Sequence, residues 1–152
     1  MLSVAPAVFP PVRDAVVEVR VDRYVPADAE KDWCPYYSCG VYRLTDSERV
    51  GHVSVRLGDS DFLQKYAGLL GYVVDEPHRG HGYAARGVAL IAPIARHHGL
   101  NPLWVTVNPE NVASRKTLEK VGAVLVEVVD IPEGNDMYER GERRKCRYRW
   151  DL

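Results

Sequence analysis

Arg79-Gly80-His81-Gly82-Tyr83-Ala84 joins an apolar run, Leu69-Leu70-Gly71-Tyr72-Val73-Val74, to a segment of helical pattern, Ala85–His98. The apolar run reads as a strand buried on both faces. A turn between strand and helix presents several backbone N–H groups at the positive end of the helix dipole, an arrangement that binds phosphate. Gly80 and Gly82 let the main chain approach a ligand because no Cβ intervenes. Arg79 adds a fixed positive charge. The expectation is a pyrophosphate-bearing ligand held mainly by main chain. The same glycines also serve a plain strand-to-helix turn, and the hexapeptide alone leaves both readings open.

Two phosphate motifs are excluded. A P-loop needs G-x-x-x-x-G-K-[ST], and Lys116-Thr117 has no suitable glycine pair upstream. A dinucleotide fingerprint needs an acid about 20 residues beyond its glycines; that region here is Asn101-Pro102-Leu103-Trp104.

The next segment repeats the plan. Leu103–Val107 reads as a strand by its β-branched and aromatic content. It runs into Asn108-Pro109-Glu110-Asn111 and then a second helix ending near Val121, with Gly122 as its C′ residue. Asn108, with Pro109 at the first helical position, and Asn111 are alternative N-caps. At this point the chain resembles the GCN5-related N-acetyltransferases (GNATs). Their acetyl-CoA motif, [QR]-x-x-G-x-[GA], is matched by Arg79, Gly82 and Ala84, and their second cofactor segment by Asn111, Ser114 and Gly122. Val50–Gly58, Gly71-Tyr72, the Asn-Pro-x-Asn turn and Lys145–Arg149 extend the likeness to a group of small bacterial GNATs of unassigned substrate.

The resemblance implies an α/β GNAT fold, a single mixed twisted sheet of about six to seven strands flanked by helices. It implies acetyl-CoA as co-substrate, held by Val74, Arg79, Gly80, His81, Gly82, Tyr83, Ala84, Asn108, Asn111 and Ser114. It makes the Val74 N–H the donor to the acetyl oxygen. It implies an acyltransferase acting on an amine, small-molecule or peptide, by direct attack.

Composition is consistent with one globular unit. The 152 residues are 46% hydrophobic and 27% charged, and the division expected is an N-terminal extension over 1–14 and one domain over 15–152. Twenty basic side chains against twenty-one acidic ones give a net charge of −1, so no global basic field favours nucleic acid. Charge is local: basic residues crowd Arg140–Arg149 and acids crowd Asp130–Glu139, the latter mildly favouring a cationic acceptor. No apolar run reaches the roughly 18 residues of a membrane span. Met1–Pro11 lacks a charged n-region and cleavage pattern, so the cytoplasm is expected. Cys34, Cys39 and Cys146 share no C-x-x-C spacing, and the histidines form no i, i+4 pair, so neither zinc nor another metal is expected.

Ala15–Tyr24 alternates Val17, Val19 and Val21 against Glu18, Arg20 and Asp22, the pattern of a half-exposed strand. Val41–Leu44 and Val50–Leu57 read as a hairpin, Asp28–Trp33 allows one short helix, and Asp59–Ala67 is loop with room for a helical turn. Pro93 should kink the first long helix. Val124–Val129 and Lys145–Trp150 complete the sheet. A GNAT usually has two helices between its first two strands. Here the space is short, so the N-terminal helical region is reduced, or a second subunit of a homodimer covers the acceptor.

The acceptor must be neutral to attack. Where GNATs often carry a Glu base, this chain has Leu69 and Leu70; Glu127, Asp75, Asp61 and Tyr72 are the remaining candidates. The usual Tyr acid falls on Leu118. Ser114 is its replacement candidate, with a plain hydrogen bond at the helix start as the alternative. These departures sustain a second reading, an acyl-CoA-binding regulatory module without turnover.

Overall fold

The computed structural model describes residues 2–152. In chain order the elements are β1 (Val12–Arg13), β2 (Val17–Val25), β3 (Tyr36–Arg43), β4 (Arg49–Arg56), β5 (Leu70–Val74), α1 (Tyr83–Leu90), α2 (Ala92–His97), β6 (Leu103–Val107), α3 (Val112–Lys120), β7 (Val124–Asp130), α4 (Asp136–Glu139) and β8 (Arg144–Trp150). Strands β1 to β5 pair antiparallel in sequence order, and β6, β8 and β7 form a second antiparallel ladder.

The α/β expectation holds, with one revision. The sheet is not continuous: it parts between β5 and β6. At the foot of the parting, the Leu69 N–H donates to the Trp104 carbonyl at 3.0 Å, and the Leu69 carbonyl accepts from the Arg56 N–H at 2.8 Å. Beyond that point no ladder joins β5 to β6. The two edges stand open.

Period-two alternation places the core. Val53 and Val55 of β4 are buried while His52, Ser54 and Arg56 between them are half-buried. Val88 and Ile91 close over the first sheet, and Leu103, Val105, Leu118 and Tyr148 fill the second part of one continuous core. Edge strand β7 contributes little: Val124, Leu125, Val126 and Val128 are all exposed.

The expected kink is a break. Helices α1 and α2 meet at Ile91, because Pro93 has no N–H and its ring crowds the preceding turn. Helix α3 ends as expected on Gly122, at φ +94°. There the Gly122 N–H bonds the Glu119 carbonyl and the Ala123 N–H bonds the Leu118 carbonyl, a Schellman motif.

Two regions depart from the pattern. Glu18 is buried rather than outward, because β1 folds back along β2 and brings Arg13 to it at 2.6 Å, with Arg20 on the other oxygen at 2.5 Å. The Arg20 hydrogen bond, above all, holds this carboxyl below its ordinary range. The loop from β2 to β3 has no helix, only a bridge between Asp28 and Trp33, and Leu63–Ala67 forms a single wide π turn.

The stretch before β1 lies on the domain. The Ala7 N–H donates to the Tyr37 hydroxyl (2.9 Å), which lies 2.9 Å from Nε2 of His98. Nδ1 of His98 meets the Ser3 carbonyl at 2.7 Å. A carbonyl only accepts, so Nδ1 carries the proton and Nε2 accepts from Tyr37. Among the described residues no helix is long and apolar enough to cross a membrane.

Candidate functional site

The end of β5, the turn after it, the start of α1 and one face of α3 enclose a cleft of 460 Å³. Its mouth is the glycine turn. Gly80 and Gly82 hold φ of +89° and +76°, the left-handed region that other residues adopt only with strain. A Cβ at Gly80 would meet nothing within 4 Å; at Gly82 it would meet only Nζ of Lys120, at 3.4 Å. The approach to the main chain is therefore open. Gly82 is the N-cap of α1, and the first intrahelical bond runs from the Arg86 N–H to the Gly82 carbonyl. The N–H groups of Tyr83, Ala84 and Ala85 are left without helical acceptors. Open glycines, free amides and a helix of eight residues form a cradle that fits a diphosphate.

Strand β5 presents a second set of main-chain groups. The Asp75 N–H donates to the Val50 carbonyl at 2.9 Å. In an antiparallel ladder bonding alternates, so Val73 and Gly71 face β4 while Val74 and Tyr72 turn their N–H and C=O toward the parting. The Val74 carbonyl is taken by Nε of Arg79 at 3.0 Å. Its N–H points into the opening.

Helix α3 supplies the facing wall. Asn111, not Asn108, is its N-cap: Oδ1 accepts from the Ser114 N–H at 3.2 Å. The Ser114 Oγ lies 2.6 Å from the Tyr72 hydroxyl, which also donates to the Ser114 carbonyl at 3.2 Å. Burial pushes the Tyr72 phenol above its ordinary value, opposed by its Ser114 bond.

Most of the expected residues converge here: Tyr72, Val74, Arg79, Gly80, Gly82, Tyr83, Ala84, Asn111 and Ser114 all line the cleft. Two do not. His81 is exposed, its ring 5.4 Å from that of Tyr83, and Asn108 follows β6 with its Oδ1 buried and unbonded. Of the candidate bases only Tyr72 reaches the cleft; Glu127 is paired with Arg147 at 3.0 Å. Leu118 is fully buried. The cleft also holds Lys116 and Lys120, which the motif reading passed over. Their i, i+4 spacing along α3 is the signal that places both on one face.

A larger hollow of 1190 Å³ lies among the β2–β3 loop, the turn after β4 and α4. It reaches Ser54, whose partner across the ladder is Gly71, next to Tyr72.

The acetyltransferase (GNAT) family model matches residues 12–123. The chain belongs to the GNAT family. An uncharacterized N-acetyltransferase of Bacillus subtilis (strain 168), YycN, is 27% identical over 95 residues, 62% of this chain and 60% of the relative. The match thus spans less than two thirds of that relative's length. Among solved structures, the ribosomal-protein-S5-alanine acetyltransferase of Vibrio fischeri superposes with a TM-score of 0.67 at 14% identity, covering 94% of this chain and 97% of the other. RimL, a ribosomal L7/L12 alpha-N-protein acetyltransferase solved with coenzyme A, gives 0.66 at 11% identity over 94% and 98%. At these identities the likeness is one of fold. The GNAT fold expected from the glycine turn and the Asn111 segment is the fold of this chain.

Proposed function

We propose that this GNAT chain transfers an acetyl group from acetyl-CoA to an amine by direct attack. The observation that carries the reading is the convergence, in one cleft, of the glycine turn, the open edge of β5 and the first turn of α3. Acetyl-CoA supplies an activated acyl carbon whose leaving group is a thiolate. The amides from Gly82 to Ala85 hold the diphosphate, with Arg79, Lys116 and Lys120 as counter-charges. His81 and Asn108, outside the cleft lining, are left with no direct part in this reading.

The Val74 N–H is oriented toward the parting and stabilises the oxygen on which negative charge develops; such a donor contributes typically about 2.7–4 kcal/mol. A new N–C bond forms as the C–S bond breaks. The amine gives up a proton and the departing sulfur gains one. Ser114 Oγ–H donates that proton and recovers one from the Tyr72 hydroxyl 2.6 Å away as that hydroxyl turns from the Ser114 carbonyl, and the proton released by the amine returns to Tyr72. A phenol whose pKa is raised stays protonated at neutral pH and keeps the relay loaded.

Calorimetric titration with coenzyme A, followed by thiol release over a panel of amines, tests the reading. Saturable binding with acceptor-dependent thiol release is expected. Binding with no release from any amine would replace it with the sensing module. No binding would remove both.

A further inference from the structure

The glycine turn is held at both ends by one side chain that lies outside the cleft. Within the turn little fixes the main chain. Gly80 and Gly82 adopt left-handed φ angles, and a Cβ at Gly80 would meet nothing within 4 Å. Among the described residues the N–H groups of Gly80, His81 and Gly82 donate to no backbone carbonyl. A glycine-rich segment with so few contacts has much conformational freedom to lose when it closes on a ligand. What fixes it stands immediately before and after. His78 precedes the turn, Tyr83 follows it, and both line the cleft.

Both residues lead back to Arg43, the last residue of β3. Its guanidinium forks onto Asp46 in the turn to β4, Nε to Oδ1 at 3.0 Å and Nη2 to Oδ2 at 2.6 Å. Nη2 also donates to Glu48 Oε2 at 3.0 Å, and the other oxygen of Glu48 lies 3.3 Å from Nε2 of His78. The same guanidinium meets the Tyr83 hydroxyl, which ranks after Asp46 among the causes that raise its pKa. His78 is half-buried and Tyr83 is buried, so both ends of the turn are packed in place. The hairpin that carries Arg43 is closed by two bonds of 2.8 Å, from the Arg43 N–H to the Glu48 carbonyl and from the Ser47 N–H to the Arg43 carbonyl. Arg43, Asp46 and Glu48 are not among the residues that line the cleft.

We propose that Arg43 is a positioning residue that shapes the diphosphate cradle before the ligand arrives, holding its start through Glu48 and His78 and its end through Tyr83. The consequence for coenzyme A rests on the acyl-transfer reading. A cradle that is already ordered loses less conformational freedom on binding, so it binds more tightly. Lysine does not replace the arginine here. Three partners are spanned by a planar fork, and a single ammonium on a flexible stem does not reach them together.

Backbone order parameters from NMR relaxation of the unliganded protein read the clamp directly. At Gly80 and Gly82 they are expected near about 0.85 in the parent protein and below about 0.6 in Arg43→Gln. Calorimetric titration with coenzyme A should give a dissociation constant at least about tenfold higher in Arg43→Gln. Glu48→Gln, an exposed change that loosens only the start of the turn, should raise it about threefold. Both losses should persist at about 1 M salt, where charges acting over more than about 3 Å are screened. Arg43→Lys should behave as Arg43→Gln does. Unchanged order parameters in Arg43→Gln overturn the proposal, as do unchanged affinity, full rescue by lysine, or a loss that disappears in salt. Failure of the parent protein to bind coenzyme A defeats the acyl-transfer reading instead, and the order parameters still decide whether Arg43 holds the turn.

Discussion

The Tyr72 hydroxyl and the Ser114 Oγ, 2.6 Å apart, join β5 to the first turn of α3 across the parting of the sheet. Each is held from elsewhere: Tyr72 by its strand, and Ser114 by the Asn111 cap on its N–H. If they act as a relay, removing either one breaks it. Ser114→Ala and Tyr72→Phe should each lower kcat by about 100-fold or more, and the double variant should lose little beyond either single one. Coenzyme A affinity, read by calorimetry, should change by less than about twofold. Unchanged turnover in Ser114→Ala takes this pair out of the mechanism.

Gly82→Ala places a side chain where φ is +76°, at a cost of about 1–2 kcal/mol. Because this residue also caps α1, its distortion should fall on the amides proposed to hold the diphosphate. The dissociation constant for coenzyme A should rise about tenfold. Gly134→Ala, at φ +84° in the turn before α4, is the control: it should lower the melting midpoint and leave coenzyme A binding intact.

Lys116 and Lys120 test the electrostatic part. Exposed charge pairs contribute about 0.2–1 kcal/mol each, so Lys116→Ala/Lys120→Ala should weaken coenzyme A binding by about two- to thirtyfold at low salt. The difference from the parent protein should shrink as ionic strength rises. A loss independent of salt would point to altered shape.

His98 links acidity to stability. Burial, first among its causes, lowers its pKa from 6.5. The unfolded chain therefore binds a proton at a pH where the native chain does not, and stability falls as pH drops below 6.5. The native ring already donates through Nδ1 and accepts through Nε2, so a second proton turns an acceptor against Tyr37. The melting midpoint should decline between pH 6.5 and 5, and His98→Gln, less stable at neutral pH, should lose most of that slope. An identical slope in the variant would place the effect elsewhere.

Much of the site could be read locally. The glycine turn, the Pro93 break, Ser114 in the helix start and the Gly122 stop depend on neighbours within a few residues, and local chemistry fixes them. The choice of Asn111 over Asn108 did not follow from spacing, since both precede a helical pattern; it turns on which side chain meets the N–H three residues on. The parting of the sheet depends on ladder pairings between distant segments, which alternation within β5 or β6 does not reveal. Glu18 has the same explanation: its position alternates with valines, and only the return of β1 with Arg13 makes burial tolerable. Lys116 and Lys120 carried a helical spacing that motif matching did not use.

Gly71 stands between the two hollows, and a Cβ there would press on Ser54 Oγ at 3.0 Å. A side chain at this position would fill the hollow beside Ser54, the way in from that face of the sheet. If amines enter by that route, bulk at this single position works as a gauge. Gly71→Ala would then admit slimmer nucleophiles and reject branched ones that the parent protein accepts.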